Sequence, residues 1–341
     1  MGLFSFTQKL AIDLGTANTV IIKDGKIIVD EPSYVTINRK SEKVECVGAE
    51  AYRRFEKENN DLYTVRPLRD GVVADLTASE HMIRGLIRMA NPKKKIFPSA
   101  LKVVVCVPSG STDVEIRAVR DSAEKAGANE VYLIHEPMAA AIGIGIDVLE
   151  PAGQMIVDIG GGTTEIAVIS LGGIVSNKSI KVAGDEFTNE IVEYMRTQHR
   201  VNIGERTAEA IKKHVGSALE VLPEEPEDYV VIGQDLSNAN ILPKQVHIHY
   251  SEIAGCLNKS IEKIETAIGN ALDNTVPELY NDIVHNGINL TGGGALLKGL
   301  AERLTRKFEI PFIVAEDPLY AVAKGTNIAL TNSDRYSLLF K

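Results

Sequence analysis

Leu10-Ala11-Ile12-Asp13-Leu14-Gly15-Thr16-Ala17-Asn18-Thr19 and Met155-Ile156-Val157-Asp158-Ile159-Gly160-Gly161-Gly162-Thr163-Thr164 decide how this chain folds. Each is an apolar run ending in an aspartate, followed by glycine and small or hydroxyl residues whose backbone N–H groups can approach an anion closely. That is phosphate-binding chemistry, and it occurs twice. The segments behind the two loops also match. Val20-Ile21-Ile22, a turn at Asp24-Gly25 and Ile27-Ile28-Val29 form one predicted hairpin; Ile166-Ala167-Val168-Ile169, a turn at Gly172-Gly173 and Ile174-Val175 form the other. The repeat implies two similar α/β domains facing one another across a cleft, with the two aspartates meeting in the middle.

A polar stretch from Asn38 to Asn60 reads as a small peripheral subdomain. Thr77-Ala78-Ser79-Glu80 and Thr112-Asp113-Val114-Glu115 have the spacing of helix capping boxes. The first opens a helix to about Ala90 with Met82, Ile83, Leu86 and Ile87 inside; the second opens a helix that stops at Gly127. Leu101 to Val107 reads as a strand covered on both faces, and Glu130 to Ile134 as a strand that delivers His135-Glu136-Pro137 to its C-terminal edge, where open α/β sheets bind ligands.

The second half carries an insertion of about Lys181 to Gln245, in which Ala208, Ile211, Val215 and Ala218 make one helical face and Glu209, Lys212 and Lys213 another. Ser251 is the expected N-cap of a long helix whose Ile253, Leu257, Ile261, Ile264, Ile268 and Leu272 face the core. His247 and His249 fall on one face of a predicted strand, and two imidazoles fall short of a metal site. Ile288-Asn289-Leu290 runs into Thr291-Gly292-Gly293-Gly294-Ala295 and a helix to about Phe308, a geometry for laying a nucleotide against a helix N-terminus.

Composition bounds these readings. A chain of 341 residues with 44% hydrophobic content holds two domains with cores, and a net charge of −9 argues against broad nucleic-acid binding. Cys46, Cys106 and Cys256 are far apart and odd in number, which fits a reducing compartment and suggests neither a disulfide framework nor zinc. No apolar run approaches the roughly 18 residues of a spanning helix and no signal peptide is evident, so a cytoplasmic protein is expected.

Asp-Leu-Gly-Thr, Glu-Pro after a strand, Asp-Ile-Gly-Gly-Gly-Thr-Thr and Thr-Gly-Gly-Gly, in this order, resemble the signature of the actin, Hsp70 and sugar-kinase superfamily. Within it the chain resembles bacterial actin of the MreB type over essentially its whole length. Arg66-Pro67-Leu68-Arg69-Asp70-Gly71-Val72-Val73-Ala74-Asp75 is the most discriminating segment, joined by Val105 to Gly110, His135 to Gly143 and Thr291 to Leu297. The resemblance implies an α/β, actin-like ATPase fold of two duplicated, ribonuclease-H-like domains around a nucleotide cleft. Domain I would span 1–145, with a subdomain at about 33–65, and be completed by a C-terminal helix at about 316–341. Domain II would span 146–315, with a subdomain at about 181–246.

The cofactors implied are ATP or ADP and Mg²⁺. Asp13 and Asp158 would hold the ion, in part through its waters. Gly15, Thr16, Ala17 and Asn18 from one side, and Gly160, Gly161, Gly162, Thr163 and Thr164 from the other, would surround the phosphates. Gly184, Asp185, Glu209, Lys212 and Lys213 resemble further nucleotide contacts, although Glu209 and the lysines also read as a solvated helical ion pair. Gly292, Gly293, Gly294 and Ala295 would contact the nucleotide from the opposite side. Glu136 is the candidate to orient the attacking water, with Thr163 as its partner; the competing reading is a carboxylate that caps the helix near Pro137. The phosphate-loop lysine of eukaryotic actin is absent, with Val20 near its place, as in the MreB family.

By resemblance the chain would form homopolymeric, paired filaments on the inner face of the cell membrane and work with cell-wall elongation proteins such as RodZ, MreC and MreD. Leu3, Phe4 and Phe6, and Ile96 and Phe97 beside Lys93-Lys94-Lys95, are the expected membrane-inserting residues on an anionic surface. Myristoylation is not supported, because Phe6 stands where a Ser or Thr is required. A small-molecule kinase of this fold would need an aspartate base in a sugar pocket, and an Hsp70-like chaperone would need a peptide-binding module.

Overall fold

The computed structural model describes residues 7–91, 100–237 and 242–340. Its frame is two five-stranded sheets of one plan. In the first, Gln8–Leu14 is the central strand, parallel to Leu101–Val107, which is parallel in turn to Glu130–His135; the hairpin Asn18–Lys23 and Lys26–Pro32 completes the other side. In the second, Gln154–Ile159 is central, parallel to Ile288–Thr291 and through it to Phe312–Val314, with the hairpin Thr164–Ser170 and Gly173–Ile180 on its other side. Each aspartate therefore lies near the C-terminal end of the middle strand of its sheet.

The first hairpin turns at Asp24 and Gly25, φ 50° and 75°. The second turns one residue earlier than expected, at Leu171 and Gly172, φ 51° and 71°, with Ser170 paired to Gly173. A tight hairpin turn needs two left-handed residues, and here a leucine accepts one of them.

Side chains alternate between two faces of each sheet. Leu10, Ile12 and Ile21 face an outer core with the helices Leu76–Ala90 and Asp113–Lys125. In the second half the outer core is formed with Gly184–Thr197, Glu205–Val215 and Tyr250–Asp273. The inner faces share a third core, in which Ala11, Val20 and Ile22 of one sheet and Ile156, Ala167 and Ile169 of the other enclose the helices Glu136–Gly143 and Ala321–Thr331. These two helices cross in close contact. A Cβ on Gly143 would collide with the Ala321 carbonyl, and one on Gly325 with the Ala139 carbonyl. Small sheets sit at the periphery: Val44–Val47, Val35–Asn38 and Leu62–Val65 in the first half, and Val201–Asn202, Tyr229–Asp235 and Pro243–Ile248 in the second.

Several local expectations shift. The Thr112–Glu115 capping box forms in both directions. Asp75, not Thr77, caps the helix Leu76–Ala90 by accepting from the Ala78 N–H. His249, not Ser251, caps Tyr250–Asp273, its ring accepting from the Ser251 N–H while Glu252 accepts from the His249 N–H. His249 thereby leaves the strand on which His247 stays exposed. Ala218 is buried beyond the end of its expected helix, which stops at Val215. After Thr291 the chain makes a 3₁₀ turn, Gly293–Leu296, and the α-helix begins only at Leu300, so the third glycine loop does not open onto a helix N-terminus. The C-terminal helix is shorter than expected, Ala321–Thr331 between 3₁₀ turns at Pro318–Tyr320 and Ser337–Leu339.

The crossing yields a paired prediction. Gly143→Ala overpacks it and costs about 3 kcal/mol of stability, seen as a lower urea midpoint. Gly255→Ala, inside Tyr250–Asp273 with nothing within 4 Å of the added carbon, gains about 0.5–1 kcal/mol instead. Equal effects at the two sites would contradict the close crossing.

Candidate functional site

The C-terminal edges of the two central strands open into a cleft of about 720 Å³ between the sheets. Asp13, Gly15, Thr16, Ala17 and Asn18 line one wall, with Glu136 beside them. Asp158, Gly160, Gly161, Gly162, Thr163, Gly184, Asp185, Glu209, Lys212, Lys213, Gly292, Gly293 and Gly294 line the other. Two expected contacts are not brought into it. Thr164 is fully buried and spends its hydroxyl on the Val182 carbonyl at 2.6 Å, and Ala295 packs into the second outer core.

The glycine loops approach one another so closely that side chains are excluded. A Cβ on Gly161 would stand 2.8 Å from the Ala17 Cβ, and one on Gly162 2.8 Å from Thr16 Oγ1. Thr16 Oγ1 also accepts from the Gly71 N–H at 3.0 Å. The carbonyls of Gly160 and Gly161 are taken by the N–H groups of Gly184 at 3.1 Å and Asp185 at 2.7 Å. The backbone N–H groups of Thr16, Ala17, Gly161 and Gly162 have no partner among the described residues. Such opposed donors suit an anion that can accept from both sides.

Two carboxylates line the same cleft. Asp13 accepts from the Cys106 thiol at 3.1 Å and Asp158 from the Thr291 hydroxyl at 2.7 Å. Burial pushes Asp13 up to about 7, against the pull of the Cys106 hydrogen bond and with a further push from Asp158. Burial likewise raises Asp158 to about 6, opposed by Thr291 and reinforced by Glu165. Among the described residues no group of three or more His, Cys, Asp or Glu side chains is built to hold a metal ion. Two acids short of a full ligand set fit Mg²⁺, which keeps most of its waters and shares substrate phosphates.

Glu136 opens the helix Glu136–Gly143, whose N-cap, His135, makes no side-chain capping bond. Its carboxyl is raised well above the usual range by burial, then by Glu165, Asp158 and Asp13. Glu209 pairs with Lys212 at 2.6 Å and Lys213 at 3.3 Å and accepts from Thr188 at 2.8 Å; burial opposes its ionisation, but these partners prevail and lower its pKa. Lys212 also donates to the Gly184 carbonyl at 2.7 Å. Asp185 is held by Arg66 across the cleft at 2.6 Å, and Glu205 by the same guanidinium at 3.1 Å. Arg66, Glu205, Tyr34, Phe187 and Leu319 all line the cleft without having been expected there. Only Arg66 carried a signal, as the head of the most discriminating segment. Leu3, Phe4, Phe6, Ile96 and Phe97 lie outside the described residues. Among those described, no helix is long and apolar enough to cross a membrane.

A family model described as MreB/Mbl protein matches residues 7–337. The chain belongs to the MreB/Mbl family. It is 42% identical to the cell shape-determining protein Mbl of Bacillus subtilis (strain 168), over 97% of this chain and 98% of that one. It is 43% identical to the cell shape-determining protein MreB of Escherichia coli (strain K12), over 97% and 95%. The crystal structure of MreB5 of Spiroplasma citri bound to ADP superposes with a TM-score of 0.89 at 35% identity, covering 98% of each chain. A MamK double helical filament, 20% identical and covering 96% of this chain and 99% of its own, shares the fold at a TM-score of 0.78. The fold of this MreB/Mbl chain is therefore the α/β, actin-like one that its motifs implied.

The paired acids predict a pH effect. Because the folded, empty cleft raises both pKa values above the unfolded value, the native chain holds protons that the unfolded chain has released. Their contribution to stability falls as pH rises from about 4 through about 6 and 7. In EDTA without nucleotide, Asp13→Asn raises the urea midpoint at pH 8 relative to pH 5.5 when each is compared with wild type. An unchanged difference between the two pH values would contradict the burial of these charges.

Proposed function

We propose that the chain is an ATP-binding bacterial actin that hydrolyses ATP slowly and polymerises into membrane-associated filaments that scaffold cell-wall synthesis and maintain rod shape. The observation that carries this reading is the meeting of two glycine loops, with unpartnered N–H donors, beside two uncompensated carboxylates. The ADP- and AMPPNP-bound crystal structures of MreB5, both 35% identical to this chain, support a nucleotide in such a cleft. The naming of relatives as cell shape-determining proteins supports the cellular role.

Asp13 and Asp158 would hold Mg²⁺, which supplies charge neutralisation at the phosphates. The N–H groups of Thr16, Ala17, Gly161 and Gly162 donate to phosphate oxygens, while the Gly160 N–H stays on the Thr163 carbonyl at 2.9 Å and holds the loop in shape. Glu136 holds and orients a water for in-line attack, with Thr163 beside the same space. Gly292 to Gly294, with Glu209 and the lysines of the same wall, bound the remainder of the nucleotide. The chain divides at residue 145 into domain I, completed after 315 by the C-terminal segment, and domain II. Leu3, Phe4, Phe6, Ile96 and Phe97 insert into an anionic inner membrane surface. Wall-elongation proteins of the RodZ, MreC and MreD kinds complete the assembly.

With ATP, Mg²⁺ and anionic vesicles the protein pellets and releases phosphate without a sugar acceptor. Glu136→Ala retains nucleotide binding and loses phosphate release by about 10²-fold or more. Unchanged hydrolysis in that variant removes Glu136 from the mechanism, and wild type that stays in the supernatant contradicts the filament reading.

A further inference from the structure

Arg66 leaves the small-sheet strand Leu62–Val65 and reaches across the mouth of the cleft. Its Nη2 donates to Asp185 at 2.6 Å and its Nη1 to Glu205 at 3.1 Å, while Nη2 also lies 3.4 Å from the Thr16 carbonyl oxygen. The guanidinium carbon sits 5.7 Å from the Tyr34 ring centroid. The side chain is 14% exposed and both carboxylates 33%, whereas another ion pair between the two halves, Lys181 with Asp70 at 3.5 Å, is 67% and 53% exposed. Water screens the second pair and much less of the first. Asp185 and Glu205 stand in the first turns of Gly184–Thr197 and Glu205–Val215, so one fork fastens two helices of the far wall. A lysine presents no such fork.

The Thr16 contact extends the bridge into the glycine loop. The Thr16 carbonyl and the Ala17 N–H belong to one planar peptide and point in opposite directions. Holding the carbonyl toward Arg66 therefore fixes the direction of an N–H that has no partner among the described residues.

We infer that Arg66 is a positioning residue for the nucleotide reaction, a latch that ties Asp185 and Glu205 to the Thr16-Ala17 peptide so that nucleotide leaves only after the bridge opens. The inference rests on the nucleotide reading of the cleft. Asp185, which lines the cleft where a nucleotide contact is expected of it, also anchors this bridge.

The test uses the full chain loaded with N-methylanthraniloyl-ATP and Mg²⁺ and chased with unlabelled ATP. Arg66→Met releases the analogue at least about tenfold faster, with KM for ATP raised by a similar factor and kcat changed less. Arg66→Lys falls between it and wild type, and Lys181→Met releases as wild type does. Adding Asp185→Asn to Arg66→Met accelerates release little further, because both changes cut one bridge. Wild-type retention with unchanged release from a folded Arg66→Met overturns the latch alone. A wild-type chain that fails to retain the analogue overturns the reading of the cleft and the latch with it. Should Arg66→Met not fold, Arg66→Lys decides, and release as slow as wild type overturns the proposal.

Discussion

Two carboxylates at the ends of two buried strands, with no cation among the described residues paired to them, set the terms for the rest of this structure. Asp13 is steadied by one thiol and Asp158 by one hydroxyl, and burial raises both toward neutrality. Like charges brought together in a poorly solvated place disfavour ionisation unless something positive joins them. An acidic pair of this kind at a strand edge is costly for an empty protein and useful to one that takes up a cation with its ligand.

The architecture holds that pair in place by duplication. Each aspartate belongs to the middle strand of a five-stranded sheet, and each is followed by a glycine loop. The sheets share an alanine-rich inner core, where two helices cross at Gly143 and Gly325 with no room for a methyl group. Contact this close fixes the separation of the two walls at the floor of the cleft. At its mouth, Arg66 joins the walls through charge. Between floor and mouth, Glu165 accepts from Ser109 and Ser179 and ties the first half to the second once more. Closure is thus distributed over packing, hydrogen bonding and one fork of charge, with the glycine loops held between them.

The frame of the molecule was legible because its signals are local and periodic. Strands ending in Asp-Gly loops, the Thr112 box and the 3–4 spacing from Ile253 to Leu272 need only neighbours in sequence. What escaped depended on competition or distance. Thr77 and Ser251 have good capping chemistry, but Asp75 and His249 stand where the preceding segment delivers the chain, and geometry chose them. Leu171 occupies a left-handed position that sequence rules assign to glycine. The third glycine loop reads as strand, loop, helix, yet a 3₁₀ turn intervenes before Leu300. Arg66 finds its partners 119 and 139 positions away, beyond the reach of any local pattern. Most of the cleft's polar residues were therefore readable as a set, whereas the bridge across its mouth was not.

If the glycine loops and the two acids form one binding site for a metal–nucleotide complex, a bound complex must touch both at once. A crystal structure of the chain with AMPPNP and Mn²⁺, with anomalous scattering locating the ion, tests it most directly. The expected result is a single manganese peak between Asp13 and Asp158, with phosphate oxygens between the Thr16–Asn18 and Gly160–Thr163 backbones. A nucleotide bound elsewhere, or phosphates in the cleft with the metal away from both aspartates, would contradict it.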